Sequence, residues 1–233
     1  MSRATCTYTL LARDPQTGQL GVITASASLA VGAAVPYMRP GVGAVAVQNL
    51  ADQRVCFAIL DDLEAGVEPK DALDRALKFF GEPAQRQIAI LMASPQPGQV
   101  PYHAYTGSAC EPWAGQFVSP DLLLLGNGLA SEQVLADMEK GYRSSNSPHF
   151  AERMLDGLLA AERAGGDSAG KQSAAIRIAG TQAFHPPLVD LRVDDHPEAP
   201  GELHQIWILF HKLQSGKEPD RLVAPAAPVP PEK

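Results

Sequence analysis

The sequence has no excess of positive charge, few cysteines and no long apolar run. Its 19 Lys and Arg residues are outnumbered by 26 Asp and Glu residues, which gives a formal net charge of −7, and the basic residues are scattered along the chain. Nucleic-acid binding depends on a basic patch, so this composition argues against a nucleic-acid partner. The apolar runs fall far short of the roughly 20 residues that a membrane span needs, and we therefore expect no membrane partner.

Cysteine is scarce as well, with three residues in a chain of 233. Cys6, Cys56 and Cys110 are far apart, and no Cys-x-x-Cys pair typical of a zinc site occurs. Residues 1–10 lack a basic segment followed by an apolar core, so they do not resemble a secretory signal. We therefore expect a cytoplasmic protein that needs neither a metal nor another cofactor.

What the chain does contain is a long succession of strand and helix patterns. Strands dominate the first hundred residues except at 53–80, where apolar residues recur at helical spacing in two segments. More strands follow, then helical patterns at 130–142 and 149–165, two further strands and a last helix from about 199 to 215. A Gly- and Pro-rich stretch at 30–43 predicts a loop. This order fits two sheets with helices outside better than a doubly wound fold.

Residues 1–216 are predicted to form a single domain. The last segment, 217–233, contains the run VAPAAPVPPEK, which is rich in Pro and Ala and has no helical or strand period. Such a composition buries too little apolar surface to fold, so we predict a disordered or extended tail. The helix before it carries an apolar stripe with Trp207, which would suit a homodimer or higher homo-oligomer as well as a core.

Two motif-like matches carry little weight. Residues 41–46 read GVGAVA and fit the relaxed dinucleotide-binding pattern, but that pattern needs a strand before it and a helix after it. Here a Pro-rich stretch precedes and a strand pattern follows. His204 and His211 are seven residues apart on the last helix, whereas metal-binding pairs on a helix favour a spacing of three or four, so a solvated face is the better interpretation.

Polar residues lie at the ends of several predicted strands. Gln48 lies near the end of one apolar strand, Arg86 begins another, and Gly-Asn-Gly at 126–128 follows a third. A Gly turn before a helix exposes backbone N–H groups that can bind an oxyanion or a carboxylate, and Asn127 adds a side-chain donor. A tight strand-to-helix connection explains the same residues equally well.

A second polar group lies in the C-terminal half of the chain. Asp167 and Gln172 precede one predicted strand, and a charged cluster follows the next. The members of this cluster are Asp190, Arg192, Asp194, Asp195 and His196. Such groups can orient a base or bind an acidic substrate, but the pattern favours an ion-pair network that fixes the end of the strand. A metal site built on Asp194, Asp195 and His196 would need further ligands, and none occurs at a spacing typical of a metal site.

Seven segments occur in an order that resembles one known family. They are YTLLARDPQTGQLGV, SLAVGAAVPYMRPGVGAVAVQ, RQIAIL, AYTGSACEPWAG, GNGLA, AGGDSAGKQSAA and VDLRVDDHPEAPGEL. Each is weak alone, but together they resemble the DUF1028 family of bacterial and archaeal proteins, which are regarded as N-terminal nucleophile (Ntn) hydrolase-like. The resemblance implies an α+β fold, a four-layer αββα sandwich of two mainly antiparallel sheets with outer helices, and hydrolysis of an amide-type bond.

The resemblance also implies where a nucleophile lies. In an Ntn hydrolase the first residue of the mature chain is Thr, Ser or Cys. Its side chain attacks a carbonyl, and its α-amine, with an ordinary pKa of about 7.7–8.0, acts as the base. Family members commonly begin with a Thr before an aromatic residue, which corresponds to Thr7 before Tyr8. Removal of the initiator Met would expose Ser2 instead. Thr7 therefore needs cleavage after Cys6, and cleavage one residue earlier would make Cys6 the nucleophile.

The other roles are assigned by residue type. Asn127 and the nearby backbone would stabilise the oxyanion. Arg86 and Arg192 would hold a substrate carboxylate or polarise the site, and Asp194 and His196 would orient or relay protons. The pocket would be completed by Gln48, Asp167 and Gln172.

These expectations predict an amidohydrolase that acts on the C–N bond of a small amide, cyclic amide or ureide. The alternative is a non-catalytic binding or assembly module that keeps the fold but has lost N-terminal processing.

Overall fold

The computed structural model describes residues 6–93, 101–119 and 121–216, and the predicted tail at 217–233 lies outside them. The strands are β1 (Thr7–Arg13), β2 (Leu20–Ser26), β3 (Pro36–Arg39), β4 (Gly43–Asn49), β5 (Arg86–Met92), β6 (Tyr102–Thr106), β7 (Gly115–Ser119), β8 (Leu122–Asn127), β9 (Ser173–Ala179) and β10 (Val189–Val193). The helices are α1 (Val31–Ala34), α2 (Gln53–Glu64), α3 (Pro69–Phe80), α4 (Gln133–Ser144), α5 (Phe150–Arg163) and α6 (Ala199–Gln214), with a short 3₁₀ helix at Pro83–Gln85.

The strands form two sheets. One has six strands in the order β10-β9-β2-β1-β8-β7, and the other has four in the order β3-β4-β5-β6. Neighbouring strands in both sheets run antiparallel. The first strand of the chain therefore lies in the interior of the larger sheet, with a neighbour on each side.

Helices cover the outer face of each sheet. α4, α5 and α6 pack on the six-stranded sheet, where Leu10 and Ile23 meet Leu155 and Leu203 in one buried cluster. α2 and α3 pack on the four-stranded sheet in a second cluster. Full burial of a Leu or Ile side chain contributes roughly 1.5–3 kcal/mol, so these amphipathic faces hold the layers together. The predicted αββα sandwich of the α+β class is confirmed.

The structure differs from the sequence prediction at 30–43. This stretch contains α1 and β3 rather than a loop. β3 is an edge strand, and Pro36 stands at its first position. Proline is tolerated there because an edge strand needs fewer backbone donors than a central one. The high Gly and Pro content therefore concealed a short strand.

Two further details concern the helices. The helix predicted at 130–142 begins later, at Gln133, and ends at Ser144. The apolar stripe of α6 serves the core of its own chain, because Leu203 and Trp207 are buried against the six-stranded sheet and α5. None of the helices within the described ranges is long and apolar enough to cross a membrane.

Candidate active site

The layer between the two sheets is apolar at one end and polar at the other. Alternate residues of β1 face this layer, so Leu11 lies in its apolar part while Thr9 and Thr7 lie in its polar part. The same change occurs along β2, β4, β5 and β8. The polar residues, each at most 1% exposed, are Thr7, Thr9, Thr24, Ser26, Gln48, Gln87 and Asn127. We call these seven residues the inter-sheet network.

Strand register brings distant parts of the sequence together in this network. Thr7 lies opposite Ser26 on β2 and opposite Asn127 on β8. In the second sheet, Gln48 on β4 lies opposite Gln87 on β5. Both faces of these strands are buried, so a shift of one residue would exchange the side chains that face the other sheet with those that face the helices and would turn the polar residues out of the network.

Gln87 is the centre of the network. Its Oε1 accepts hydrogen bonds from Gln48 Nε2 at 2.7 Å and from Asn127 Nδ2 at 3.0 Å. Its Nε2 donates to Thr106 Oγ1 at 3.0 Å and to the Gly126 carbonyl oxygen at 2.9 Å. One carboxamide therefore links both sheets and fixes the side chains on either side of it.

Gln48 connects Gln87 to the first strand. Its Oε1 accepts a bond from Thr9 Oγ1 at 2.7 Å, and its Nε2 lies 3.2 Å from the carbonyl oxygen of Thr7. Thr9 Oγ1 is also 2.8 Å from Thr24 Oγ1. These bonds satisfy polar groups that would be costly to bury alone.

Ser26 lies at the point where the network meets the chain before β1. Its hydroxyl donates to the carbonyl oxygen of Cys6 at 2.6 Å, and it accepts a bond from Thr7 Oγ1 at 3.3 Å. The backbone N–H of Ser28 also donates to Ser26 Oγ at 3.1 Å. The peptide bond between Cys6 and Thr7 is therefore held beside two hydroxyl groups.

Cys6 is half-buried and lies against the turn after β8. Gly128 follows Asn127 with a φ of +61°, and a Cβ at this position would come within 2.5 Å of the Cys6 Cβ. Burial raises the pKa of the Cys6 thiol above its ordinary value, and the nearby carboxylates of Asp167 and Glu111 raise it further. The side chain before Thr7 thus occupies a narrow space with two acidic neighbours.

Asp167 is fixed in place by backbone donors. Its two carboxylate oxygens accept bonds from the N–H groups of Ala27 and Ala169, each at 2.8 Å. Burial is the main cause that raises its pKa, and Glu162 adds to the shift. Asp167 therefore lies near Cys6, with its carboxylate oriented by backbone donors.

The Gly-Asn-Gly turn is not followed directly by a helix. Leu129 first bridges to Asp167, and α4 begins only at Gln133. The N–H of Gly128 donates to the Glu111 carbonyl at 2.7 Å, so it does not form the open anion site that one interpretation of the sequence offered. Asn127 Nδ2 donates to Gln87, while within the described part of the chain its Oδ1 has no hydrogen-bond partner.

Arg86 is buried at the start of β5, where its guanidinium contacts backbone carbonyls and one carboxylate. Its Nε donates to the Gly81 carbonyl at 2.9 Å and its NH1 to the Leu50 carbonyl at 3.2 Å. Its NH2 lies 3.9 Å from a carboxylate oxygen of Asp52. These contacts tie the start of β5 to neighbouring backbone segments, which is a structural role.

The charged cluster near β10 lies three strands from β1 in the six-stranded sheet. Arg192 pairs with Asp194 at 3.1 Å, and both side chains are almost half exposed. Gln172 Nε2 donates to Asp195 at 3.0 Å, and His196 Nδ1 accepts from the N–H two residues later. The structure thus brings these residues together away from Thr7, although the N–H of Gln172 donates to the carbonyl oxygen of Ser26 at 2.9 Å. Among the described residues, no group of three or more His, Cys, Asp or Glu side chains is placed to hold a metal ion.

Four members of the inter-sheet network were not singled out as site residues from the sequence: Thr9, Thr24, Ser26 and Gln87. The signal for them is period-two alternation within strands. Thr7 and Thr9, or Thr24 and Ser26, fall on one face of a strand whose next residues on that face are apolar. A polar pair at one end of an otherwise apolar strand face therefore indicates a buried site.

Two antiparallel sheets with outer helices define a protein of the four-layer αββα sandwich class, and a threonine at the start of a central strand lies between the sheets. The chain belongs to the DUF1028 family, a family of unknown function whose model matches residues 7–203. The crystal structure of protein SPO2555 from Silicibacter pomeroyi, also of DUF1028, is similar with 30% sequence identity and a TM-score of 0.78, over 92% of this chain and 88% of that chain.

More distant similarity extends to Anbu (ancestral beta-subunit) from Yersinia bercovieri. The identity is 12% and the TM-score 0.46, over 93% of this chain and 100% of that chain. Similarity at this level carries no inference about activity. A search of curated proteins gave no significant match.

Proposed function

We propose that the protein hydrolyses the C–N bond of a small amide, cyclic amide or ureide, with Thr7 as nucleophile after cleavage between Cys6 and Thr7. The observation that carries the proposal is the position of Ser26. Its hydroxyl contacts Thr7 Oγ1 at 3.3 Å and the carbonyl oxygen of Cys6 at 2.6 Å. One hydroxyl thus contacts both the attacking oxygen and the carbonyl of the bond to be cut.

In the processing step, Thr7 Oγ1 attacks the carbonyl carbon of Cys6, and the Ser26 hydroxyl donates to the oxygen that becomes negative. The C–N bond breaks, the hydroxyl proton of Thr7 ends on the departing nitrogen, and an ester joins Thr7 Oγ1 to the Cys6 carbonyl. Water then hydrolyses this ester. The products are the Cys6 carboxylate, a restored Thr7 hydroxyl and a free α-amine on Thr7.

Substrate turnover uses the same chemistry. The α-amine of Thr7 takes the hydroxyl proton as Oγ1 attacks the substrate carbonyl, and it then gives the proton to the leaving nitrogen. Water cleaves the acyl ester, so one amide and one water give a carboxylic acid and an amine. Asn127 lies opposite Thr7 and has a second Nδ2 hydrogen besides the one donated to Gln87, so we assign it the oxyanion contact.

Thr7 is better supported than Cys6 as the nucleophile. Thr7 lies inside the inter-sheet network, whereas Cys6 is half-buried at its margin. The raised pKa of Cys6 keeps it as a thiol near neutral pH, and the thiolate is the reactive form of cysteine. Full burial of Thr7 also means that the chain must open at this position before a substrate can reach the hydroxyl.

The remaining sequence candidates divide between the pocket and the scaffold. The contacts of Gln48 and the position of Asp167 support roles in the pocket. The backbone bonds of Arg86 and the mutual contacts of the cluster near β10 support structural roles for these residues. We place the enzyme in the cytoplasm as a homo-oligomer, which fractionation and size-exclusion chromatography would test.

Intact-mass spectrometry of the purified protein is the first test. We expect a chain that begins at Thr7, and we expect Thr7→Ala to retain the bond after residue 6. The processed protein should hydrolyse members of a panel of small amides and cyclic ureides, with Thr7→Ala as the inactive control. Hydrolysis by a chain that still carries Cys6 would contradict the proposed mechanism.

A shortened chain in which Met directly precedes Thr7 supplies the free amine by removal of the methionine. It separates a failure of processing from a failure of catalysis. The alternative, a non-catalytic binding or assembly module, predicts an intact bond after Cys6 and no turnover by either chain.

A further inference from the structure

We infer that the space filled by the Cys6 side chain is the acyl subsite of the enzyme, and that it accepts a small side chain that is neutral or positively charged. This inference rests on the proposed function and specifies its substrate class. It concerns the part of the substrate that carries the scissile carbonyl, not the leaving amine.

Processing and substrate turnover pass through ester intermediates on the same oxygen atom. In processing, the ester on Thr7 Oγ1 carries the Cys6 acyl group; in turnover, the ester on the same oxygen carries the substrate acyl group. Both esters place a carbonyl carbon on one oxygen that is fixed in the inter-sheet network. The side chain next to that carbon must therefore point into the same space in both reactions.

One wall of this space is formed by Gly128, and the Cys6 side chain is half-buried against it. A Cβ at position 128 would lie 2.5 Å from the Cys6 Cβ, well inside van der Waals contact, and closer still to the sulfur. The N–H of Gly128 is bonded to the Glu111 carbonyl, and its carbonyl accepts from both the N–H and the hydroxyl of Ser168. Because these bonds hold the turn on both sides, its withdrawal to admit a large side chain would break them, and this opposes a bulky acyl group.

The charge of this space is set by two carboxylates. Asp167 is held by two backbone N–H groups, and Glu111 is an exposed residue of the loop between β6 and β7, where its carbonyl oxygen accepts from the N–H of Gly128. Both act on the Cys6 sulfur in the same direction, disfavouring a negative charge there. A carboxylate in the acyl side chain would meet two like charges, whereas an amino group would be attracted by them.

Cleavage of the chain itself provides a test that needs no known substrate. The Cys6 side chain is replaced in the full-length protein, and the fraction cut after residue 6 is followed over time by intact-mass spectrometry. Two matched pairs separate size from charge: Cys6→Ala against Cys6→Leu, and Cys6→Asn against Cys6→Asp. The unfolding midpoint of each uncut chain shows whether the fold is retained.

We expect Cys6→Ala and Cys6→Asn to be cut at rates close to that of the wild type. Cys6→Leu should be cut at least about tenfold more slowly than Cys6→Ala, and Cys6→Asp at least about tenfold more slowly than Cys6→Asn. A tenfold difference in rate corresponds to about 1.4 kcal/mol in the activation barrier. Adding Glu111→Gln to Cys6→Asp should recover part of the lost cleavage rate. Adding the same substitution to Cys6→Leu should leave its cleavage rate unchanged.

Equal rates within both pairs, with an intact fold, would overturn the subsite while leaving the proposed hydrolase in place. A Cys6→Asp rate that Glu111→Gln does not improve would overturn the electrostatic part. If the wild type is not cut and the shortened chain beginning at Thr7 is inactive on amides, the proposed function fails, and the subsite fails with it.

Discussion

Two polar regions of the six-stranded sheet differ in almost every physical respect. The inter-sheet network consists of hydroxyl and carboxamide groups that are at most 1% exposed and bonded to one another across both sheets. The cluster near β10 consists of charged groups such as Arg192 and Asp194, which pair at 3.1 Å while almost half exposed. Both regions were candidates for chemistry in the sequence.

The difference reflects the cost of removing each group from water. A neutral amide or hydroxyl can be buried at little cost when a partner satisfies it, whereas a buried charge loses several kcal/mol of solvation. The neutral network can therefore lie between two sheets, where its geometry is fixed by strand register. The charged pairs stay at the surface, where solvent screens them and they contribute little.

The largest expected effect is on activity at Thr7. Thr7→Ala removes the proposed nucleophile, and we expect both processing and amide hydrolysis to fall below detection. The fold should persist, because one buried hydrogen bond contributes roughly 0.5–1.5 kcal/mol. Intact mass, turnover and the urea unfolding midpoint measure the three properties. Thr7→Ser, which keeps a hydroxyl, is the matched control and should retain measurable processing; full activity in Thr7→Ala would exclude Thr7 as nucleophile.

The next largest effect is on stability, and it is measured with the same substitution, Gln to Leu, in each of the two regions. Gln87→Leu removes the acceptor of Asn127 Nδ2, one of the two acceptors of Gln48 Nε2 and the side-chain donor to the Gly126 carbonyl, and each buried unsatisfied group costs about 1–3 kcal/mol. We expect the free energy of unfolding to fall by roughly 3 kcal/mol or more. Gln172→Leu removes one bond near the surface and should cost less than about 1 kcal/mol. If urea unfolding showed similar losses of the free energy of unfolding for Gln87→Leu and Gln172→Leu, the two regions would not differ in their contribution to stability.

A smaller effect is expected for Arg192→Ala. The ion pair with Asp194 is solvent-exposed, so its loss should change the free energy of unfolding by about 0–1 kcal/mol. Turnover of the processed protein should be unchanged, although the sequence alone suggested a role in binding. Unfolding and activity are measured on the same preparation. A lower kcat/KM with unchanged stability would contradict this expectation and would show that Arg192 takes part in substrate binding or catalysis.

The smallest effect is the pH dependence contributed by Asp167. Burial raises its pKa in the folded chain, so the fold favours its protonated form. Its contribution to stability is therefore present at pH values below the unfolded pKa and is lost as pH rises through the folded pKa. The stability of the wild type relative to Asp167→Asn should decrease between pH 4 and pH 7 in urea unfolding. An increase over that range would contradict the direction of the shift.

Much of the fold could be predicted from local patterns. Helical periodicity located α2 and α3, and short apolar runs bounded by Pro- and Gly-containing turns located β1, β2 and β5. The short elements between 30 and 43 were missed because Gly and Pro dominate the local signal, although β3 needs only an edge position. Local propensity does not reveal which strand lies at an edge.

The site was predicted less completely. Gln48 and Asn127 were singled out because polar residues at strand ends are conspicuous, but Arg86 was chosen in place of its neighbour Gln87. In the structure their roles are reversed: Gln87 joins the sheets and Arg86 holds backbone carbonyls. Adjacent residues of a strand point to opposite faces. Only the location of the second sheet therefore decides which of Arg86 and Gln87 faces the layer between the sheets.

The sequence by itself determined the alternation of strands and helices, the polar ends of the strands and the threonine at the start of β1, because these depend on residues close together in the chain. Only the tertiary structure decided which polar groups meet. Strand pairing and the stacking of two sheets join residues about 20 to 120 positions apart, such as Thr7 with Ser26 and Asn127. That choice depends on burying the apolar face of every strand at once, which no local pattern contains.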